Sequence, residues 1–349
     1  MDKGRIITDE KPQEILCKDI LKKYGIREPL YIAALKHAGC SIEPSDNPQQ
    51  IEIMNLAPYK QKVQTWFQKI SIPPKKQSEE IALELKNICF SYDKQNSYTV
   101  ENINFIIKKG EMTSLVGTNG AGKSTIASLI CGFNIQDEGT ILIDGKDISK
   151  LTIKQRAELV GFVMQNQNQM ISQTIVFDEV ALGLKARKIP KEEIKARVNQ
   201  ILKICGIYQY RNWPINALSH GQKKRVTIAA ILVLNPKILI LDEPTASQDY
   251  THYTEIMQFL KKLNREQNIT ILMITHDMHL MLEYTDRALV LSKGHLLEDD
   301  KSSAILTNKQ ITEAASLKQT SLYNLAVRCD IEDTTDFVDR FIYYEKYKK

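Results

Sequence analysis

Between an apolar run, Thr113–Val116, and a helical stretch, Ile126–Ile130, lies Gly117-Thr118-Asn119-Gly120-Ala121-Gly122-Lys123-Ser124-Thr125, which fits the pattern Gly-x4-Gly-Lys-Ser/Thr. Glycines at 117, 120 and 122 open backbone conformations that other residues avoid, so peptide N–H groups can turn inward at the positive end of a helix. Such a nest suits dense negative charge, and the pattern is that of a phosphate-binding loop. Lys123 adds a point charge for β- and γ-phosphates, and Ser124 offers a hydroxyl to Mg²⁺. Gly117, Asn119, Gly120, Ala121, Gly122 and Thr125 complete the expected cradle.

The flanking sequence sets the fold that such a loop belongs to. From Met112 onward, continuously apolar runs (Thr113–Val116, Val160–Met164, Ile238–Leu241, Ile269–Thr275, Ala288–Leu291) alternate with helical stretches. Continuous rather than alternating runs are expected of parallel strands covered on both faces, so the pattern predicts an α/β domain with a parallel-sheet core. Ile81–Tyr92 alternates as a half-buried strand does, with Asn102–Lys108 as its hairpin-type partner, giving an antiparallel layer. Lys191–Cys205 and Lys223–Leu234 read as helices of an inserted helical subdomain over about 172–234. Two further motifs sit on these elements. The run Ile238–Leu241 ends in Asp242-Glu243-Pro244, where Asp242 can hold Mg²⁺ and Glu243 can polarise an attacking water as general base. Leu218-Ser219-His220-Gly221-Gln222 opens a helix, and taken alone Ser219-x-x-Gln222 is a capping box.

Composition narrows the setting. A net charge of +5 over 349 residues carries no concentrated basic stripe and gives no reason to expect nucleic acid. The six cysteines have no metal-ligand or Cys-x-x-Cys spacing and are expected as buried, reduced thiols. No apolar run reaches the roughly 20 residues of a membrane-spanning helix. The expectation is a cytoplasmic protein whose role at a membrane is peripheral, on the cytoplasmic face.

Taken together, the phosphate loop, Leu-Ser-x-Gly-Gln about 100 residues later, Leu241-Asp242-Glu243-Pro244 and Thr275-His276-Asp277 resemble the ATP-binding-cassette superfamily over about residues 81–300. The resemblance implies a P-loop ATPase using ATP and Mg²⁺, with two cassettes paired head to tail around each nucleotide. It further implies that Ser219, Gly221 and Gln222 contact the γ-phosphate bound by the opposite cassette. Gln165 would sense Mg²⁺ and the water, His276 would serve the γ-phosphate side, Asp249 would sit at the dimer contact, and Tyr92 would stack on adenine, with Phe90 close by. Two positions depart from the usual pattern: His220 stands for a second glycine, and Gln248 for a leucine.

The stretch Gln165–Leu184 resembles energy-coupling-factor transporter ATPases, with Gln165-Asn166-Gln167-Asn168-Gln169 replacing the usual Gln-Asn-Pro-Asp-Asn. That resemblance implies a transmembrane transporter subunit as partner, received by Met170, Ile171, Ile175, Val176 and Phe177, and uptake of a vitamin, vitamin precursor or metal ion. A soluble tandem cassette acting on ribosomes and an exporter ATPase are the alternatives. Finally, Lys3–Lys11 with Ile15-Leu16 matches Lys293–Lys301 with Ile305-Leu306, and Leu30-Tyr31 and Ala34 match Leu322-Tyr323 and Ala326. The match leads us to expect residues 1–45 as a tail resembling the end of a preceding cassette, 46–80 as linker and 301–349 as a C-terminal helical tail. The chain would then correspond to the second half of a fused two-cassette ATPase.

Overall fold

The five apolar runs form one parallel array. In the computed structural model, which describes residues 4–74, 78–93, 98–246 and 250–347, the strands are β1 (Ile81–Phe90), β2 (Val100–Lys108), β3 (Met112–Gly117), β4 (Glu138–Ile143), β5 (Lys146–Asp147), β6 (Val160–Val163), β7 (Ile238–Asp242), β8 (Thr270–Ile274), β9 (Arg287–Ser292) and β10 (His295–Asp300). One sheet has the order β10-β9-β3-β8-β7-β6; β9, β3, β8, β7 and β6 are parallel, and β10 returns antiparallel to β9. β3 and β8 are buried along their whole length, which explains their unbroken apolar sequence.

A second, antiparallel sheet runs β2-β1-β4-β5. β1 and β2 were readable in the sequence, whereas β4, β5 and β10 were not. β5 has only two residues, and β4 carries at its second position Gly139, whose φ of +87° and closeness to the Lys86 and Asn87 carbonyls leave no room for a Cβ. One core joins this layer to the Lys123–Cys131 helix through residues such as Leu83, Ile103, Ile126 and Ile141. A second core joins the opposite sheet face to the helical arm, whose main helices are Val176–Ala186, Lys191–Ile204 and His220–Leu232.

The chain divides into two compact units: residues 76–247 with 252–300, just described, and residues 1–75 with 248–251 and 301–349. The second unit brings together what the sequence suggested as tail, linker and C-terminal tail. The span expected as linker contains the helix Lys60–Gln68, with Val63 and Trp66 buried. The helix Leu30–His37 packs on Ser321–Arg328, and Lys60–Gln68 packs on Thr334–Tyr347. Ile32, Leu35, Leu322, Leu325, Phe337 and Phe341 are fully buried between them. The two chain segments therefore share one core, each covering apolar residues of the other. The two copies of the internal match, Leu30-Tyr31 and Leu322-Tyr323, open the paired helices.

Candidate functional site

The four parallel strands β3, β8, β7 and β6 are neighbours, and a singled-out motif follows each at its C-terminal end. That edge is where open α/β sheets place their ligand crevices. β3 runs into the phosphate loop. Gly117, at φ +144°, lies so close to the Leu291 carbonyl that a Cβ would meet it at 2.1 Å, and Gly122, at φ +105°, would press a Cβ onto Val100. These two glycines are therefore demanded by packing as well as by the turn. Gly120, at φ +81°, faces open space. The helix Lys123–Cys131 starts directly after Gly122, so its first N–H groups face the loop.

The Lys123 Nζ donates to the carbonyls of Gly117 and Thr118, both at 2.8 Å, which centres the cation on the loop. Burial lowers its pKa, while Glu243 and Asp242 oppose that shift. Asn119, Gly120 and Ser124 are exposed; Ala121 and Thr125 are buried. The Tyr92 hydroxyl lies 3.5 Å from Thr125 Oγ1 and accepts from Asn134. Its ring meets Phe90 edge-on and stays 64% exposed, whereas Phe90 is buried. Of the two aromatics, Tyr92 is the one a planar ligand could reach.

At the end of β7, Glu243 adopts φ +44° and donates its N–H to the Ile274 carbonyl on β8. Its carboxylate accepts from the His276 backbone N–H at 3.1 Å, from His276 Nδ1 at 2.6 Å and from Thr275 Oγ1 at 3.4 Å. Burial and the neighbouring Glu243 raise the Asp242 pKa. A carboxyl under that strain favours a nearby cation. Among the described residues no three His, Cys, Asp or Glu side chains gather as a metal cluster. A divalent ion here would rest on Asp242, the Ser124 hydroxyl and phosphate oxygens, a hard oxygen set that suits Mg²⁺.

Gln165 follows β6 and is exposed. Ser219 caps the His220–Leu232 helix: its Oγ accepts from the Gln222 N–H at 3.3 Å, and its own N–H donates to Gln222 Oε1 at 2.9 Å. This segment packs against β6, the Gln167–Gln169 turn and the arm helices. A Cβ at Gly221 would find only an ordinary 3.6 Å contact with His252. The structure thus brings Lys123, Asp242, Glu243 and His276 into one cluster and sets Ser219, Gly221 and Gln222 on another element. Asp249 lies outside the described residues.

Val176 is fully buried in the arm core and is corrected from its place among groove-lining residues; Met170, Ile171 and Phe177 are only partly buried. The sequence reading gave no role to Thr275, which holds Glu243, and passed over Lys224, fully buried beneath the Gln165 loop. A lysine four residues before Ile228 on the buried helix face was the available signal for Lys224.

Comparison with known proteins gives concordant matches. A family model for ABC transporters matches residues 100–246, and a model described as ATP-binding cassette cobalt transporter matches residues 18–90. A Clostridium perfringens protein bearing the name ABC transporter ATP-binding protein is 54% identical over 346 residues, covering 99% of this chain and 61% of that protein. A Vibrio parahaemolyticus protein of the same description is 48% identical, covering 99% and 60%. The chain thus spans about 60% of the length of these curated relatives. Among solved structures, cbiO1 from Clostridium perfringens, described as part of the ABC transporter complex cbiONQ, superposes with a TM-score of 0.63 at 34% identity, covering 71% of this chain and 100% of that one. A dimeric ATP-binding cassette in a post-hydrolysis state bound to ADP and Pi gives 0.56 at 33% identity, covering 63% and 98%.

Proposed function

The chain belongs to the ATP-binding-cassette transporter ATPases, and from that premise we propose that it binds ATP with Mg²⁺ and hydrolyses the γ-phosphate to drive a transmembrane transporter subunit. The observation that carries this reading is the convergence of Lys123, Asp242, Glu243 and His276 at one edge of the parallel sheet. Gly117, Asn119, Gly120, Ala121, Gly122, Lys123 and Thr125 cradle the phosphates, and Tyr92 offers its exposed ring to the base. Ser124 and Asp242, joined by Gln165 from the end of β6, would hold the magnesium ion, which would supply charge neutralisation for the phosphates. Glu243 takes the proton of the attacking water. The Nδ1–H of His276 donates to that carboxylate and orients it, and the His276 side chain, 70% exposed, is left to serve the γ-phosphate.

Gly221 supports a composite site. Its own chain does not need a glycine there, so the missing side chain suits something that approaches from outside. On this reading Ser219, Gly221 and Gln222 bind the γ-phosphate held by a second cassette in a head-to-tail dimer, and Asp249 lies at that contact. The transported solute is a metal ion, vitamin or vitamin precursor; support comes from the cobalt-transporter description over residues 18–90 and from cbiO1. The energy-coupling-factor type, and a correspondence to the second half of a fused two-cassette ATPase, rest on Gln165–Leu184 and on the internal match. No helix among the described residues is long and apolar enough to cross a membrane, which suits a peripheral place on the cytoplasmic face. Lys123→Ala removes the cation centred on the loop and should abolish ATP binding in equilibrium titration; unchanged affinity would refute the site. Membrane subunits co-purifying with the chain would test the transport role.

A further inference from the structure

Lys224, in the second turn of the His220–Leu232 helix, is only 2% exposed. A buried ammonium survives only where hydrogen bonds and opposite charge replace water. Its Nζ donates to the Met164 carbonyl at 3.0 Å and to the Gln165 carbonyl at 3.4 Å. Burial disfavours its charge, and the carboxylates of Asp242 and Glu243 favour it. Both acceptors lie beyond the last residue of β6, where no ladder hydrogen bond holds the chain. Gln167, also 2% exposed, crosses the same gap in the opposite direction: its Nε2 donates to the His220 carbonyl at 3.3 Å. Gln167 stands where the usual run has a proline, whose side chain has no donor.

We propose that Lys224 is a positioning residue that clamps the 164–170 loop to the helix beginning at Ser219, so that Gln165 and the Ser219–Gln222 segment shift as one body. Gln167 is the second crossing of the same clamp. An ammonium suits the task because its three N–H groups can serve two main-chain carbonyls at once. The consequence for hydrolysis rests on the nucleotide reading above; the clamp itself is a statement about packing.

The test uses hydrogen exchange and single-turnover ATP hydrolysis on the full chain. Lys224→Met keeps length and removes the donors; Lys224→Gln restores two N–H donors without the charge. With Lys224→Met, amides of residues 165–170 should exchange roughly tenfold faster while those of Ile126–Ile130 stay unchanged. ATP affinity should hold within about twofold as hydrolysis falls roughly tenfold, and Lys224→Gln should recover most of both. Unchanged loop exchange or unchanged turnover overturns the proposal, as does a speed-up over the whole domain with loss of ATP binding. If Lys224→Met does not fold, Gln167→Ala must still raise loop exchange severalfold, and unchanged exchange there overturns it. Lys123→Ala in the same series separates the readings: normal ATP binding by that variant defeats the nucleotide site, while the exchange data still judge the clamp.

Discussion

Glu243 holds a left-handed backbone conformation, φ +44°, that disfavours an L side chain by about 1–2 kcal/mol. The conformation persists because the residue is fixed on several sides: its N–H bonds to β8, and its carboxylate takes donors from Thr275 and His276. Strain of this kind gathers at functional sites. The cysteines show the opposite, inert case. Five are buried and Cys17 is half-buried, and burial pushes the Cys131 and Cys205 thiols up to about 12. At pH 8 a thiol reagent should therefore modify at most Cys17 in the native chain and all six after denaturation; rapid native modification of two or more would contradict this burial. Lys123, Asp242 and Glu243 were legible in the sequence because their requirements are local: glycines beside a lysine, acids at the end of an apolar run. Lys224 was not, because its acceptors lie 59 and 60 residues upstream.

At the scale of elements, the parallel strands were legible because burial on both faces writes an unbroken apolar run. Two of the three main arm helices, Lys191–Ile204 and His220–Leu232, were legible within about three residues of their observed ends, whereas Val176–Ala186 was not. In the second unit the helical character of 301–349 was expected, but the pairing of its helices with those near the start of the chain was not. Their partners come from opposite ends of the chain, as in Gln64 donating to the Cys329 carbonyl and Arg340 to the Ile70 carbonyl. Trp66 packs its ring edge-on against Phe337, Phe341 and Tyr344. Trp66→Ala should lower the unfolding free energy of this unit by about 3–5 kcal/mol in urea, because an aromatic core truncation leaves a cavity. Lys60→Ala, which removes the exposed pair with Asp330, should lower it by less than about 1 kcal/mol. Equal effects would mean that the two chain segments do not share a core.

At the scale of the whole molecule, the composite-site reading, in which the Ser219 segment serves the nucleotide of a second cassette, predicts action between chains. Mixing Lys123→Ala with Ser219→Arg chains should restore turnover above either variant alone, because each pair assembles one intact composite site. A Ser219→Arg chain that hydrolyses ATP normally would reduce that segment to a helix cap. The central claim is that the carboxylate at the end of β7 activates water for attack on ATP, and Glu243→Gln tests it most directly. The amide keeps size and hydrogen bonding but cannot take a proton. Single-turnover hydrolysis should fall by about 10²-fold or more, about 3 kcal/mol of barrier, with ATP binding intact. Wild-type turnover in that variant would contradict the account.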